Sequence, residues 1–162
     1  MSQLERQFTI VHLGADHAGR LLKDELMVWL KAEGFAVVDH GAYRNNPEDD
    51  FPDFITPVAE IVARSGHGVA GLVFGGSGQG EAVAANRLVG VRAAVYYGAK
   101  PEIVTLARQH NNANILSIGA RFVASDEAKA VIWEWLHTPA LAAKKYDRRN
   151  QKIDDHQKHN VA

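Results

Sequence analysis

The chain has 162 residues, of which 46% are hydrophobic and 23% charged, which is enough to bury one sizeable core but not two and predicts a single domain over residues 1–162. The formal net charge of −1 gives no general attraction to nucleic acid or membranes, and the absence of cysteine excludes disulfides, thiolate metal sites and a thiol nucleophile. Because no apolar run approaches the ~20 residues that cross a bilayer and the N-terminus lacks a secretory signal, we expect a cytoplasmic protein.

Short runs rich in β-branched residues alternate along the chain with segments of helical periodicity. The runs predict strands at 8–13, 36–39, 69–74, 92–95 and 115–118. The periodic segments predict helices around residues 22–30 and at 57–63, 100–108 and 125–136, with a long loop over 43–53. This alternation predicts a three-layer α/β/α, Rossmann-like fold with a five-stranded parallel sheet, followed by a basic C-terminal helix over about 140–158. Ligands in such folds bind beyond the carboxyl ends of the strands.

The loop after the first predicted strand places a carboxylate beside an imidazole, Asp16 and His17, between two glycines. Such a pair can perform acid and base chemistry. The alternative is that Asp16 only caps the helix that follows.

A second glycine-rich loop, GGSGQGE, follows the third predicted strand and ends at Glu81. A phosphate-binding P-loop requires Lys after its last glycine, and a dinucleotide fingerprint requires an acidic residue about twenty positions later; neither is present. A third interpretation uses the loop amides to stabilise an oxyanion while Glu81 removes a proton from carbon beside a carbonyl. The alternative is that Glu81 is an ordinary acid in the first turn of a short helix ending at residue 85.

Two further groups are candidates. His110 and Asn111 lie at the end of the fourth large helical segment, where they could exchange protons and bind hydroxyls. The alternative is that His110 or an asparagine of this run, which ends at Asn112, simply caps the helix. In the tail, Lys145, Arg149 and Lys152 share one helical face that suits a phosphate, although a solvated basic helix has the same pattern. The other histidines show no metal-ligand spacing, so we assign no metal, and His156 and His159 are predicted to lie in a frayed tail.

Taken together, GADHAG, GGSGQGEAVAANR, RQHNNANILSIGAR and the basic tail resemble the type B ribose-5-phosphate isomerase family, which also contains the galactose-6-phosphate isomerase subunits. The resemblance runs nearly end to end. It implies an aldose–ketose isomerase that interconverts ribose 5-phosphate and ribulose 5-phosphate through a cis-enediolate, without metal or organic cofactor. One group of members uses a cysteine as base and another a glutamate at the end of the glycine loop; this chain has no cysteine, so the resemblance implies Glu81.

The resemblance also implies roles for the remaining candidates. His110 would donate a proton in ring opening, and Lys145 takes the place of a usual arginine, followed by Tyr146 in place of a histidine. Those implied to bind substrate are Asp16, His17, Gly76, Ser77, Gly78, Gln79, Gly80, Asn111, Arg121, Lys145 and Arg149.

The family resemblance further implies a homodimer or tetramer with shared active sites, in which the C-terminal helix packs on a partner subunit. Two alternatives stay open. The chain could isomerise another sugar phosphate, such as a tetrose or hexose phosphate, because the change at Lys145 exchanges a bidentate fork for a point charge. It could also be a non-catalytic module that binds phosphosugars.

Overall fold

A computed structural model describes the backbone of residues 5–159 and the side chains of residues 5–156. Within this range, five strands alternate with five helices along the chain, and a sixth helix follows the fifth. The strands are β1 (Phe8–Ala15), β2 (Ala36–Asp39), β3 (Gly68–Gly75), β4 (Ala93–Tyr96) and β5 (Ile115–Gly119). The helices are α1 (Arg20–Ala32), α2 (Pro52–Arg64), α3 (Gln79–Ala85), α4 (Glu102–Asn111), α5 (Ser125–His137) and α6 (Lys144–His159). All five predicted strands are present.

The strands form one parallel sheet in the order β2-β1-β3-β5-β4. From β1 the chain proceeds to β2 on one side of the sheet and then crosses to β3 on the other. The boundary between β1 and β3 is therefore a topological switch point, where open α/β sheets bind ligands. Successive side chains of a strand face opposite sides of the sheet, so each strand contributes to two cores. The predicted α/β/α architecture is therefore confirmed.

The larger core lies between the sheet and helices α1, α4 and α5, and the smaller one lies beneath α2 and α3. On β3, Leu72 and Phe74 point into the larger core and Val73 into the smaller. Close packing of α2 depends on glycine, because a Cβ at Gly14 would lie 2.5 Å from the Phe54 carbonyl oxygen. Burial of both cores fixes the helices against the sheet and holds the strand ends in place.

The predicted start of α2 is wrong. The helix begins at Pro52, not at residue 57, so the predicted loop over 43–53 ends earlier. Proline is favoured in the first turn, where its missing N–H would have no intrahelical acceptor. Pro57 then lies inside the helix and removes one hydrogen bond, which burial of Ile55, Val58, Ala59 and Val62 against the sheet offsets.

The tail is helical rather than frayed through residue 159, which corrects the prediction for His156; the His159 side chain lies outside the described residues. Helix α6 contacts its own chain. Asp154 accepts hydrogen bonds of 3.2 Å from Nη1 of Arg92, and Asn150 donates one of 3.3 Å to the His110 carbonyl. No helix in the described part of the chain is long and apolar enough to cross a membrane.

Candidate active site

The glycine loop lies at the carboxyl edge of the sheet, between the ends of β1 and β5. β3 ends at Gly75, and the chain turns through Gly78, whose φ of +77° is left-handed, before α3 begins at Gln79. Ser117 on β5 donates its hydroxyl hydrogen to the Gly78 carbonyl at 2.7 Å. The loop is therefore fixed on the neighbouring strand. The first N–H groups of α3 have no backbone acceptors within the helix; that of Gln79 donates to Ser77 Oγ at 3.4 Å, and that of Glu81 faces its own carboxylate.

Glu81 lies in the first turn of α3 but is only 4% exposed. Its carboxylate lies so close to Gly75 that a Cβ at that position would overlap it. Burial raises the pKa of Glu81, its own backbone N–H lowers it by less, and the charge of Asp16 raises it further. An ordinary first-turn acid would be exposed and its pKa lowered by the helix dipole. The environment of Glu81 therefore differs from that of an ordinary first-turn acid, because its carboxylate is buried and its pKa is raised.

Asp16 closes the turn that connects β1 to α1. Its Oδ1 accepts hydrogen bonds from the backbone N–H groups of Ala18 at 3.0 Å and Gly19 at 3.1 Å. The N-cap of α1 is Gly19, and no side chain caps that helix. The capping interpretation of Asp16 is thus wrong in detail, because the carboxylate stabilises the preceding turn. Its remaining oxygen, Oδ2, has no hydrogen bond to any described residue and can accept one from a ligand.

His17 is held by Asp49, a residue that the sequence did not single out. Nδ1 of His17 lies 2.6 Å from Asp49 Oδ1, and the His17 backbone N–H donates to Asp49 Oδ2 at 3.0 Å. The side chain of Asp49 is 8% exposed and that of His17 is 26% exposed. Asp49 lies just before α2 and 32 positions after His17, so no local pattern connects them. From the sequence, Asp49 could be placed only in the predicted long loop over 43–53.

Arg121 supplies a cation to the same edge. The residue follows β5, and its backbone N–H donates to the Gly76 carbonyl at 3.1 Å. Its guanidinium lies over Gly76, where a Cβ would be 3.3 Å from Cζ. A cleft of about 360 Å³ results, lined by Asp16, His17, Ala18, Phe51, Gly76, Ser77, Gly80, Glu81, Arg121 and Phe122. The structure thus brings together two carboxylates, an imidazole, a guanidinium and the glycine loop.

His110 and Asn111 lie elsewhere in the same chain. They end α4, which returns from the carboxyl edge of the sheet to the amino edge, where β5 begins at Ile115. The five residues of β5 span four residue-to-residue steps, which separate that edge from the cleft by about 13 Å at ~3.3 Å per step. The C-cap is Asn112, whose φ of +46° is left-handed, so an asparagine does cap the helix, and neither His110 nor Asn111 is the capping residue.

The basic tail lies beside His110. The Tyr146 ring stacks on the His110 imidazole with centroids 4.3 Å apart and 17° between planes. Lys145 Nζ lies 4.7 Å from the centroid of the Tyr146 ring. Arg149 is exposed, and no described residue forms a hydrogen bond or ion pair with it. Within one chain, the tail cations therefore remain available but far from Glu81.

One cluster in the described residues has side chains close enough for a metal ion: atoms of Asp16, His17 and Asp49 lie within 4.8 Å of one another. Hydrogen bonds account for this proximity. One oxygen of Asp16 binds two backbone amides, and both oxygens of Asp49 accept from His17. We assign no ion to the cluster.

Comparison with known proteins gives consistent results. The profile of the Ribose/Galactose Isomerase family matches residues 11–153. Ribose-5-phosphate isomerase B of Mycobacterium leprae is 41% identical over 140 residues, which cover 86% of this chain and 84% of that protein. The Escherichia coli protein of the same name is 36% identical over 126 residues, which cover 78% and 82%.

Solved structures agree with the sequence comparison. Ribose-5-phosphate isomerase B from Mycoplasma genitalium with bound ribulose-5-phosphate has a TM-score of 0.86 and 34% identity, covering 92% of this chain and 96% of that one. The type B enzyme of Trypanosoma cruzi has a TM-score of 0.86 and 32% identity, covering 94% and 99%.

Proposed function

The chain belongs to the ribose/galactose isomerase family, and we propose that it interconverts ribose 5-phosphate and ribulose 5-phosphate with Glu81 as the base. The observation that supports this most directly is the buried carboxylate of Glu81, which lies beside the fixed glycine loop in a cleft of about 360 Å³. Relatives that align over most of the chain carry the name ribose-5-phosphate isomerase B, and one was solved with ribulose-5-phosphate.

The reaction moves one proton between adjacent carbons. After ring opening, Glu81 removes the C2 proton of the aldose, and the electron pair of that bond forms the C1–C2 double bond of a cis-enediolate. Amides of the glycine loop and the Arg121 guanidinium stabilise the negative oxygen. The proton of the O2 hydroxyl then passes to O1, the C2 carbonyl forms, and Glu81 returns its proton to C1, which completes the ketose. Asp16 and His17 would bind sugar oxygens from the opposite wall of the cleft.

We further propose that a second copy of the chain completes the pocket. His110, Asn111, Lys145 and Arg149 lie at the amino edge of their own sheet, whereas Glu81 lies at the carboxyl edge. In an isologous dimer whose two-fold axis is perpendicular to the strands, the amino edge of one copy adjoins the carboxyl edge of the other. His110 could then open the sugar ring bound to the partner, and the tail cations could bind its phosphate.

The β4 side of the molecule is the surface that suits this contact. β4 is an edge strand with no neighbour on one side among the described residues. Beside it, Val83 on α3 is 57% exposed, and Tyr97 is 55% exposed. A hollow next to β4 is lined in part by Asn111 and by Ile153 of α6. An apolar sheet edge beside the candidate site residues that lie away from Glu81 favours a homodimer, or a tetramer built from such dimers.

A substrate panel tests the assignment of substrate. We expect kcat/KM to be highest for ribose 5-phosphate and lower by about 10-fold or more for tetrose and hexose phosphates, because one carbon too few or too many misfits a closed pocket by ~1–3 kcal/mol. Coupled assays across four-, five- and six-carbon aldose phosphates measure this order. If a four- or six-carbon substrate had a higher kcat/KM, the assignment of ribose 5-phosphate as substrate would be refuted in favour of that sugar phosphate.

The raised pKa of Glu81 predicts the pH dependence. A base acts only when deprotonated, so the rate should fall as pH decreases through a pKa above the ordinary glutamate value of about 4.3. The substrate phosphate itself titrates near pH ~6, which affects kcat/KM. The acid limb must therefore also appear in kcat, which reports groups of the enzyme–substrate complex. A kcat that stays constant down to the ordinary pKa of glutamate would contradict the role of Glu81 as a buried base.

A further inference from the structure

We propose that Asp49 is a positioning residue, which holds the ring proton of His17 on Nδ1 and so presents Nε2 to the sugar phosphate. Two hydrogen bonds between the Asp49 carboxylate and His17 support this role. Asp49 Oδ1 lies 2.6 Å from Nδ1 of the ring, and Oδ2 accepts the backbone N–H of the same residue at 3.0 Å. The carboxylate thus fixes both the ring and the peptide that carries it.

The bonding pattern determines the tautomer. A carboxylate can only accept hydrogen bonds, so the nitrogen facing Asp49 must carry a proton. In neutral imidazole the other nitrogen then bears a lone pair, and in the cation it bears a second proton. In either state Nε2 is the nitrogen of His17 left for a ligand, since His17 lines the cleft and its side chain is 26% exposed.

Asp49 is better suited to this role than the other carboxylates around the cleft. Asp16 precedes His17 in sequence, but its Oδ1 is occupied by the N–H groups of Ala18 and Gly19. Glu81 is packed against Gly75. The Asp49 side chain is 8% exposed, and a charge-assisted bond in such a sheltered position is shorter and stronger than a neutral one.

Position 49 also links two parts of the fold. Asp49 belongs to the segment that leads into α2, whereas His17 belongs to the turn between β1 and α1. Their contact joins the β2–α2 connection to the lining of the cleft. Partners that orient metal-binding histidines typically contribute about 10- to 100-fold to affinity or activity, and we expect the same range for a carboxylate that orients His17.

The tautomer can be measured without substrate. Long-range ¹⁵N–¹H correlation spectra of the ligand-free protein distinguish Nδ1–H from Nε2–H, and His17→Gln assigns the signals. We expect neutral His17 to carry its proton on Nδ1 in the parent protein. In Asp49→Ala, the Nε2–H form should become populated because Nδ1 has lost its acceptor. An Nε2–H tautomer in the parent, or an unchanged tautomer in Asp49→Ala, would overturn the proposal.

Steady-state kinetics supply the second measurement. The kinetic test of Asp49 rests on the proposed isomerase function. We expect Asp49→Ala to lower kcat/KM by about 10- to 100-fold, with Asp49→Asn, which keeps an acceptor of the same shape, between it and the parent. Asp50→Ala is the matched control, because it removes the same charge from the adjacent, exposed position. Equal losses of kcat/KM in Asp49→Ala and Asp50→Ala would show a general effect of charge and would refute the positioning role of Asp49.

The two measurements separate the ways in which the hypotheses can fail. If the parent protein does not isomerise ribose 5-phosphate but His17 shows the Asp49-dependent Nδ1–H tautomer, the proposed function fails and the positioning role stands. A purely structural role for Asp49 would lower the melting temperature of Asp49→Ala without changing the tautomer, and that result contradicts the proposal.

Discussion

Replacing Glu81 with glutamine is expected to reduce kcat by about 10²- to 10⁴-fold, the range that a positioned general base contributes. The amide has nearly the same shape as the carboxylate, so packing against Gly75 should be retained. It cannot accept the C2 proton. Because the buried carboxylate is replaced by a neutral group, the variant should be at least as stable as the parent. The measurement is steady-state isomerisation of ribose 5-phosphate, with melting temperature recorded beside it.

Glu102→Gln is the matched control for this prediction. Glu102 also lies in the first turn of a helix, but it is exposed on α4 and outside the cleft. Its replacement should leave the rate close to that of the parent. Exchange of the substrate C2 proton with deuterated water gives an independent readout, which a non-catalytic binding module would not show even in the parent. Full turnover by Glu81→Gln would refute the assignment of the base.

The sheet could be predicted from sequence because its signals are local. Each strand is a short run rich in β-branched residues. The parallel direction of the strands follows from the helices that connect them. The start of α2 was predicted wrongly because a proline can begin a helix, and the sequence offers two such prolines, Pro52 and Pro57. Only the buried stripe from Ile55 onward, packed against glycines of the sheet, shows that the first proline begins the helix and the second is tolerated within it.

The candidate site was partly predictable for the same reason. Asp16, His17 and Glu81 follow strand ends, and parallel strands place their carboxyl ends at one edge. Asp49 could not be identified, because its contact with His17 joins two loops that are adjacent only after α2 has packed on the sheet. The sequence likewise could not show that His110 stacks on Tyr146, since two helices must first dock at the amino edge.

Mixing two inactive variants should restore activity if the pocket is shared between copies. On the proposed mechanism, Glu81→Gln and His110→Asn should each lower the activity by about 10²-fold or more on their own, the second because ring opening would lose its proton donor. In a random 1:1 mixture of dissociated and reassembled chains, half of the dimers are mixed. Each mixed dimer has one site with both substitutions and one with neither, so activity should return to about a quarter of the parent value.

The recovery depends on which residues share a site, and a second pair provides the control. Asp16 and Glu81 line the same cleft of one chain, so a mixture of Asp16→Asn with Glu81→Gln leaves one substitution in every site of a mixed dimer and should remain inactive. Size-exclusion chromatography establishes that the mixed assemblies form. If both mixtures stay inactive although mixed dimers are present, His110 does not act on the partner's pocket. The separation of about 13 Å along β5 would then have to be closed within one chain by movement of α4 and α6.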